Sequence, residues 1–338
     1  MLLGMVLLGL LTAIAALQVR QPGAADRPTS VTDQSLYAAV AADIGRGQNY
    51  YQAAQHEHRA MGFPLRPVVT VRPPLLAKAT GLLGRPVMLG LLGLLAAASA
   101  ALSVRLSLQR GDSRGLSYIF AFVGCLASFI LVTPGYELMH EIWAGLLLTC
   151  ALLLHHFGWR FSAWWVALLA AILRELALPF LFVMAFAAFL ERRPREAVAW
   201  LAALVAALVM LTMHWLQVAA IVPLPGDATS PGWGAVRGFG PALQILTFSS
   251  VFIVLPLPFG HLFTVAALTG WCAAPRPLAL RAMLWLGGMT LVFGVFARAG
   301  NGYWGGLTAP LLPLGLLWLP GLLARLLRAA SPPRLTPA

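Results

Sequence analysis

Charge is what this sequence has least of. Of its 338 residues only 10% are Asp, Glu, Lys or Arg, and only 11 are acids; a soluble domain carries about a quarter charged residues. That scarcity, beside 60% hydrophobic residues and a mean hydropathy of +0.82, excludes a water-soluble chain and implies a polytopic membrane protein. Cysteine is almost as scarce. Cys125, Cys150 and Cys272 all fall inside apolar runs, so the sequence offers neither a disulfide framework nor a CxxC metal site. The net charge of +12 does not imply nucleic acid as a partner. Nearly all the cations are arginines at the ends of apolar runs, where the positive-inside rule and lipid headgroups put them.

The one long segment unable to live in hydrocarbon spans residues 32–78, and it holds Asp33, Asp43 and Glu57. Thr32 or Ser30 caps a helix whose first turn contains Asp33, and Leu36, Tyr37, Val40, Ala41 and Ile44 recur at helical spacing until Gly45 and Gly47 end it. The spacing predicts an amphipathic helix lying on a membrane with its apolar face down. A second short helix is expected over 50–61, then a proline-punctuated extended segment over 64–74. Asp43, ten residues after Asp33, faces elsewhere on the first helix and reads as a solvated residue near its end.

Apolar runs predict crossings at 1–19, 82–104, 116–133, 138–154, 161–174, 176–190, 197–216, 259–274, 282–297 and 306–324, with 241–255 a shorter outer-leaflet piece. Residues 1–19 read as an uncleaved first span; the rival is a signal peptide cut near Gly23-Ala24-Ala25, but the run lacks a basic start. The expected architecture is therefore an all-α polytopic membrane protein of about ten transmembrane helices. It forms one unit over 1–330, with an extracytoplasmic cap at 20–80, both termini cytoplasmic and an unstructured tail at 331–338. The arginines after 104 and the turn 191–196 mark the cytoplasmic ends.

Under that topology Asp33, Arg66, Arg72, Lys78, Glu137, His140, Glu141, Arg174, Glu175, Arg237, Arg298 and Asn301 all reach the outer face. Ionisable groups at membrane depth are costly and commonly functional, so convergence on one cavity is expected. Each also has a plain reading. An acid in a first turn is favoured by the helix dipole, and arginines near an interface meet lipid phosphate. Arg66 and Arg72, fixed among prolines, present forks suited to phosphate oxygens. Arg174 and Glu175, as helical neighbours, would point apart and take different partners. Glu137, His140 and Glu141, at i, i+3 and i+4, are weak candidates for holding a divalent cation, with an acid-decorated helix start as the alternative. His155-His156 reads as interfacial at a cytoplasmic end. Arg298 breaks the positive-inside pattern, while Tyr303 and Trp304 read as an interface belt.

The run DQSLYAAVAADIGRGQNYYQAAQHEHRAMGFPLRPVVTVRPPLL resembles the first extracytoplasmic loop of the GT-C glycosyltransferase superfamily, and ILRELALPFLF with ERRPRE and ARAGNGYWGGLTAP are similar to segments of its bacterial members. The resemblance covers most of the chain in layout and implies an enzyme of the bacterial inner membrane with its site on the extracytoplasmic side. It would transfer a sugar, with inversion, from a polyprenyl-phosphate donor to a glycan, lipid or protein acceptor, with no cofactor required. Asp33 matches the family's acidic catalytic base, standing alone rather than in an acidic pair. Arg66, Arg72, Arg174 and Arg298 would hold the donor phosphate, and Glu141, His140, Glu175, Asn301 and Tyr303 the sugar or acceptor. The chemistry is self-consistent, because phosphate leaves as an anion and needs no general acid. A lipid flippase or transporter would instead show charges at mid-membrane and two matching halves, neither of which the sequence has. A non-catalytic assembly protein binding lipid-linked intermediates would need the arginines but not Asp33.

Overall fold

The computed structural model describes residues 32–109, 114–234 and 236–330. The expected span 1–19 and the tail 331–338 lie outside the described residues. Everything regular within them is helical, and four stretches are long and apolar enough to cross a membrane: Arg85–Leu108, Pro194–Ala219, Arg276–Phe296 and Leu312–Ala329. Shorter apolar helices run Gly115–Phe129, Arg160–Leu173 and Glu175–Leu190. These are the helices of an α-helical membrane protein.

The cap opens with α1 (Asp33–Gly45) and α2 (Tyr50–Ala60). Thr32 and Ser35 form a reciprocal capping box at the start of α1, and the Asn49 side chain accepts from Tyr51 N at 2.9 Å to start α2. The apolar face of α1 meets protein rather than lipid. Leu36 and Val40 are buried with Tyr50, Ala53 and Ala54 of α2, against Val218 and Ile221 at the end of a long helix. A third cap helix, α3 (Pro74–Leu83), was not expected; Pro74 sits at its first turn, where proline is tolerated. It stops at Gly84, whose φ of +82° favours glycine, and Pro86 then starts the next helix. The break moves the start of the second expected span from 82 to 85.

The body follows as α4 (Arg85–Leu108), α5 (Arg114–Phe129), α6 (His140–His156), α7 (Arg160–Leu173), α8 (Leu178–Leu190), α9 (Pro194–Ala219), α10 (Phe239–Ser249), α11 (Leu257–Trp271), α12 (Arg276–Phe296) and α13 (Leu319–Ala330). Helix α10 has 11 residues, about 16 Å at 1.5 Å per residue, so it is too short to cross. It agrees with the short piece expected over 241–255. Arg281 of α12 donates to Glu191 at 3.0 Å and Glu196 at 3.2 Å, which puts the start of α12 at the same end as the 191–196 turn. His155, expected at an interface, is buried there with Nε2 2.6 Å from Glu196.

The last third departs from expectation. In place of one α-helix over 306–324 there are 3₁₀ segments at Ala299–Leu307 and Leu312–Trp318 before α13. Glycine and proline at 302, 305, 306, 310, 313 and 315 deny this region a continuous α ladder. Its close packing needs those glycines: a Cβ at Gly145 of α6 would fall 2.0 Å from Gly306 O. Gly145→Ala is therefore expected to force α6 off the 299–307 segment and to lower thermal stability in detergent by about 1–3 kcal/mol or more. Gly90→Ala, with nothing within 4 Å of the added carbon, is the control and should melt as the parent does.

Candidate functional site

Beneath the cap lies a cavity of about 650 Å³ walled by residues from widely separated parts of the chain, among them Asp33, Tyr37, Arg72, Arg174, Glu175, Trp233, Arg298, Asn301, Tyr303 and Trp304. Of the residues expected to form a site, Asp33, Arg72, Arg174, Glu175, Arg298, Asn301 and Tyr303 meet here.

Arg174 ends α7 in an extended conformation (φ −147°, ψ 117°). The helix break changes the geometry expected of neighbours. The Arg174 Nη1 donates directly to Glu175 Oε1, so the two do form a pair, contrary to the expectation for consecutive residues of a helix. The same guanidinium lies with Nε 2.7 Å from Glu141 Oε1, both groups being at most 1% exposed. Glu175 Oε1 also lies 3.6 Å from Arg72 Nη1. One carboxylate thus bridges two guanidinium groups, and a second backs one of them.

Arg72 is fully engaged. Its Nε donates to the Tyr37 hydroxyl at 3.0 Å, Nη2 to the Tyr303 hydroxyl at 3.0 Å and Nη1 to Val69 O at 3.2 Å. Burial opposes its charge, but Tyr37, Tyr303, Glu141 and Glu175 outweigh that and hold its pKa well above the ordinary arginine value. Burial in turn pushes the Tyr37 phenol well above its usual range, with Arg72 only partly offsetting it. Tyr37 therefore stays protonated, and a hydroxyl that accepts from Arg72 keeps its own hydrogen to donate.

Two charges in the cavity are uncommitted. No hydrogen bond or ion pair engages the Asp33 carboxylate among the described residues. Arg298 makes no ion pair among them either: its Nε lies 3.5 Å from Asn301 Oδ1 and its guanidinium 5.8 Å from the Trp233 ring. Asn301 Oδ1 accepts from Arg298 N at 3.0 Å, which fixes the backbone from which Arg298 projects. The buried indole nitrogens of Trp233 and Trp304 also lack a partner among the described residues. Buried donors are ordinarily satisfied, so the walls hold two spare N–H groups, a cation and an anion.

Arg298, Ala299 and Tyr303 also border a second, adjoining cavity of about 450 Å³. Its walls are mostly apolar, with Ile130, Leu131, Met139, Ile142, Phe248 and Ile253, and Arg237 at the same end of the bundle. Both cavities are walled mostly by apolar surface, and they share Arg298.

Other expected residues fall elsewhere. Arg66 does not face the cavity. Its guanidinium donates at 2.8 Å to each of Val218 O, Ala219 O and Ile221 O, the last carbonyls of α9 and the turn after it. A helix end leaves its last carbonyls short of intrahelical donors, and here a long cation supplies them beside Ile221 N, which is 3.2 Å from Val218 O. Arg66→Ala is therefore expected to lower stability by about 1.5–3 kcal/mol for the charged hydrogen bonds lost, read as a lower melting temperature, while leaving turnover per folded molecule unchanged. His140 and Glu141 are not wall residues but sit behind it, His140 edge-on to Tyr37 with ring centroids 5.2 Å apart. Glu137 does not join them in a metal set, because its carboxylate is taken by Arg85 Nε at 2.7 Å. Asp43 is not solvated: it is 2% exposed.

Sequence reasoning missed Tyr37 and Trp233 as wall residues and took Trp304 for an interface aromatic. Tyr37 had been read only as part of an apolar stripe, although its distance from Asp33 (i, i+4) is the same-face signal. No family model, curated protein or solved structure matches the chain.

Proposed function

We propose that this protein is a membrane glycosyltransferase of about ten crossings, related to the GT-C superfamily, that moves a sugar from a polyprenyl-phosphate donor to an acceptor hydroxyl on the extracytoplasmic side. The observation that carries the reading is the coexistence of Asp33 and Arg298, each without an ion-pair partner among the described residues, in one chamber that shares Arg298, Ala299 and Tyr303 with a second, mostly apolar cavity.

Each part has a chemical task. The isoprenoid tail lies in the groove among Ile130, Leu131, Ile142, Phe248 and Ile253. Its phosphate sits against Arg298, where groove and chamber meet. The sugar occupies the chamber, over Trp233 and Trp304, whose spare N–H groups and the Tyr37 and Tyr303 hydroxyls suit a polyhydroxylated ring. Asp33 takes the acceptor's proton as the acceptor oxygen bonds to the anomeric carbon. The bond from that carbon to the phosphate oxygen breaks, and the lipid phosphate leaves with one more negative charge, which Arg298 stabilises. Attack opposite the leaving group inverts the anomeric centre. Arg72 and Arg174 are neutralised by Glu175 and Glu141, so they shape the wall and orient Tyr37 and Tyr303.

The test is an assay of the purified protein in lipid nanodiscs with radiolabelled polyprenyl-phosphate sugars and a panel of extracytoplasmic acceptors. Labelled product and free polyprenyl phosphate in equal amounts are expected. Donor binding with no transfer to any acceptor would assign the carrier role of an assembly protein instead. Movement of intact donor between leaflets would assign a flippase.

A further inference from the structure

Among the described residues, the most buried acid of the cap lies away from the chamber. Asp43, near the C-terminal end of α1, is 2% exposed, and its Oδ2 has no hydrogen-bond partner among the described residues. An uncompensated carboxylate oxygen at such a depth is costly. Two further ligand types face it from α2. His56 Nδ1 lies 3.7 Å from Asp43 Oδ2, and Glu57 Oε1 lies 3.0 Å from His56 Nδ1. One ligand atom from each of Asp43, His56 and Glu57 lies within 4.8 Å of the other two. A tetrahedral ion with bonds of about 2.0–2.1 Å has ligands about 3.3 Å apart, so the two measured edges bracket that value.

We propose that Asp43 Oδ2, His56 Nδ1 and Glu57 Oε1 form a binding site for a zinc-class divalent cation that ties α1 to α2. The donor set selects the class: one imidazole among two carboxylates suits zinc and its transition-metal neighbours, whereas magnesium and calcium take oxygen ligands. The two carboxylates and a neutral imidazole present two negative charges to a dication. Arg46 pairs with the other Asp43 oxygen, Oδ1, which leaves Oδ2 free and orients it, as an outer hydrogen bond to a ligating carboxylate does. Arg46 is the cation facing the cluster, and it is 67% exposed, so its charge is largely spent on water.

The role is structural. Asp43 follows Asp33 by ten residues on the same helix, about 15 Å at 1.5 Å per residue, so the ion is outside the chamber. A cation here would hold the far end of the helix whose first turn carries Asp33. It would leave a coordination position to water at the exposed His56.

The experiment is titration of Zn²⁺ alone into the full chain in detergent, with any affinity tag removed, read by calorimetry and by metal content after dialysis. Co²⁺ substitution then reports geometry through its visible absorption. One equivalent is expected in the parent, together with the intense bands of tetrahedral Co²⁺. His56→Ala, a surface change, and Glu57→Gln, isosteric at a side chain 12% exposed, should each lose that equivalent or weaken it by at least about tenfold, the lower end for disturbing even an outer ligand partner. Asp43→Asn should lose it as well, with circular dichroism checking that the buried change has not unfolded the cap. Unchanged stoichiometry in the His56 and Glu57 variants, or displacement of Zn²⁺ by equimolar Mg²⁺ or Ca²⁺, would overturn the assignment. No binding by the parent would leave Asp43, Arg46, His56 and Glu57 as an ordinary ion cluster. None of these readouts depends on sugar transfer.

Discussion

Asp33→Asn is expected to abolish sugar transfer while the protein still folds and inserts. Loss of a general base typically costs about 10²- to 10⁴-fold in rate, and the amide cannot take up the acceptor's proton. The structural cost is small by comparison. The start of α1 is secured by the Thr32–Ser35 capping box, not by Asp33, whose contribution is the attraction of a first-turn acid to the helix dipole, about 0.3–1 kcal/mol. Initial rates with labelled donor, set beside the melting curve of the same preparation, separate the two effects. An Asp33→Asn protein that transfers at the parental rate removes Asp33 from the role of base.

Arg298→Gln should cost nearly as much by a different route. The guanidinium faces the junction of groove and chamber, and no acid among the described residues neutralises it. Removing one preorganised group that stabilises developing charge typically costs about 10²- to 10³-fold in turnover, or roughly 2.7–4 kcal/mol. Arg298→Lys retains the charge but not the fork that meets phosphate oxygens in pairs, so partial recovery is expected. The decisive comparison is with Arg72→Gln. There Tyr37, Tyr303 and Val69 O lose their donor and Glu175 loses one of its two cations, so stability should fall along with activity. A fall in melting temperature for the Arg298 variant equal to that of the Arg72 variant would place Arg298 in the scaffold instead.

Local patterns were legible wherever a local cause sets the structure. Thr32 followed by Asp33 and an apolar repeat specified the start of α1, and Gly45 its end, because capping and helix termination depend on residues within a turn of each other. The short piece expected over 241–255 is matched in part by the helix Phe239–Ser249. The last span was legible as an apolar stretch, at Leu312–Ala329, but its start and its 3₁₀ first part were not, because hydropathy counts apolar residues without asking whether glycines and prolines among them interrupt the α ladder. The Arg174–Glu175 pair was misread because helical geometry was assumed through a residue whose backbone is extended. Arg66 looked like Arg72 in sequence, both being arginines near prolines. Only the position of the α9 terminus tells them apart, and that terminus lies 152 residues away.

From sequence alone it followed that the chain belongs in a membrane, that it is helical, and that its polar segment after residue 31 opens with an amphipathic helix. Those properties come from composition and from spacings of a few residues, which the hydrophobic effect and helix geometry read directly. The tertiary structure alone decided which charges are spent on one another and which remain for a ligand. Arg72 finds Tyr303 across 231 positions and Arg174 finds Glu141 on another helix, whereas Arg298 and Asp33 find no ion-pair partner among the described residues. Neutralisation acts over a few ångströms of space, and no pattern along the chain reports which residues folding will bring that close.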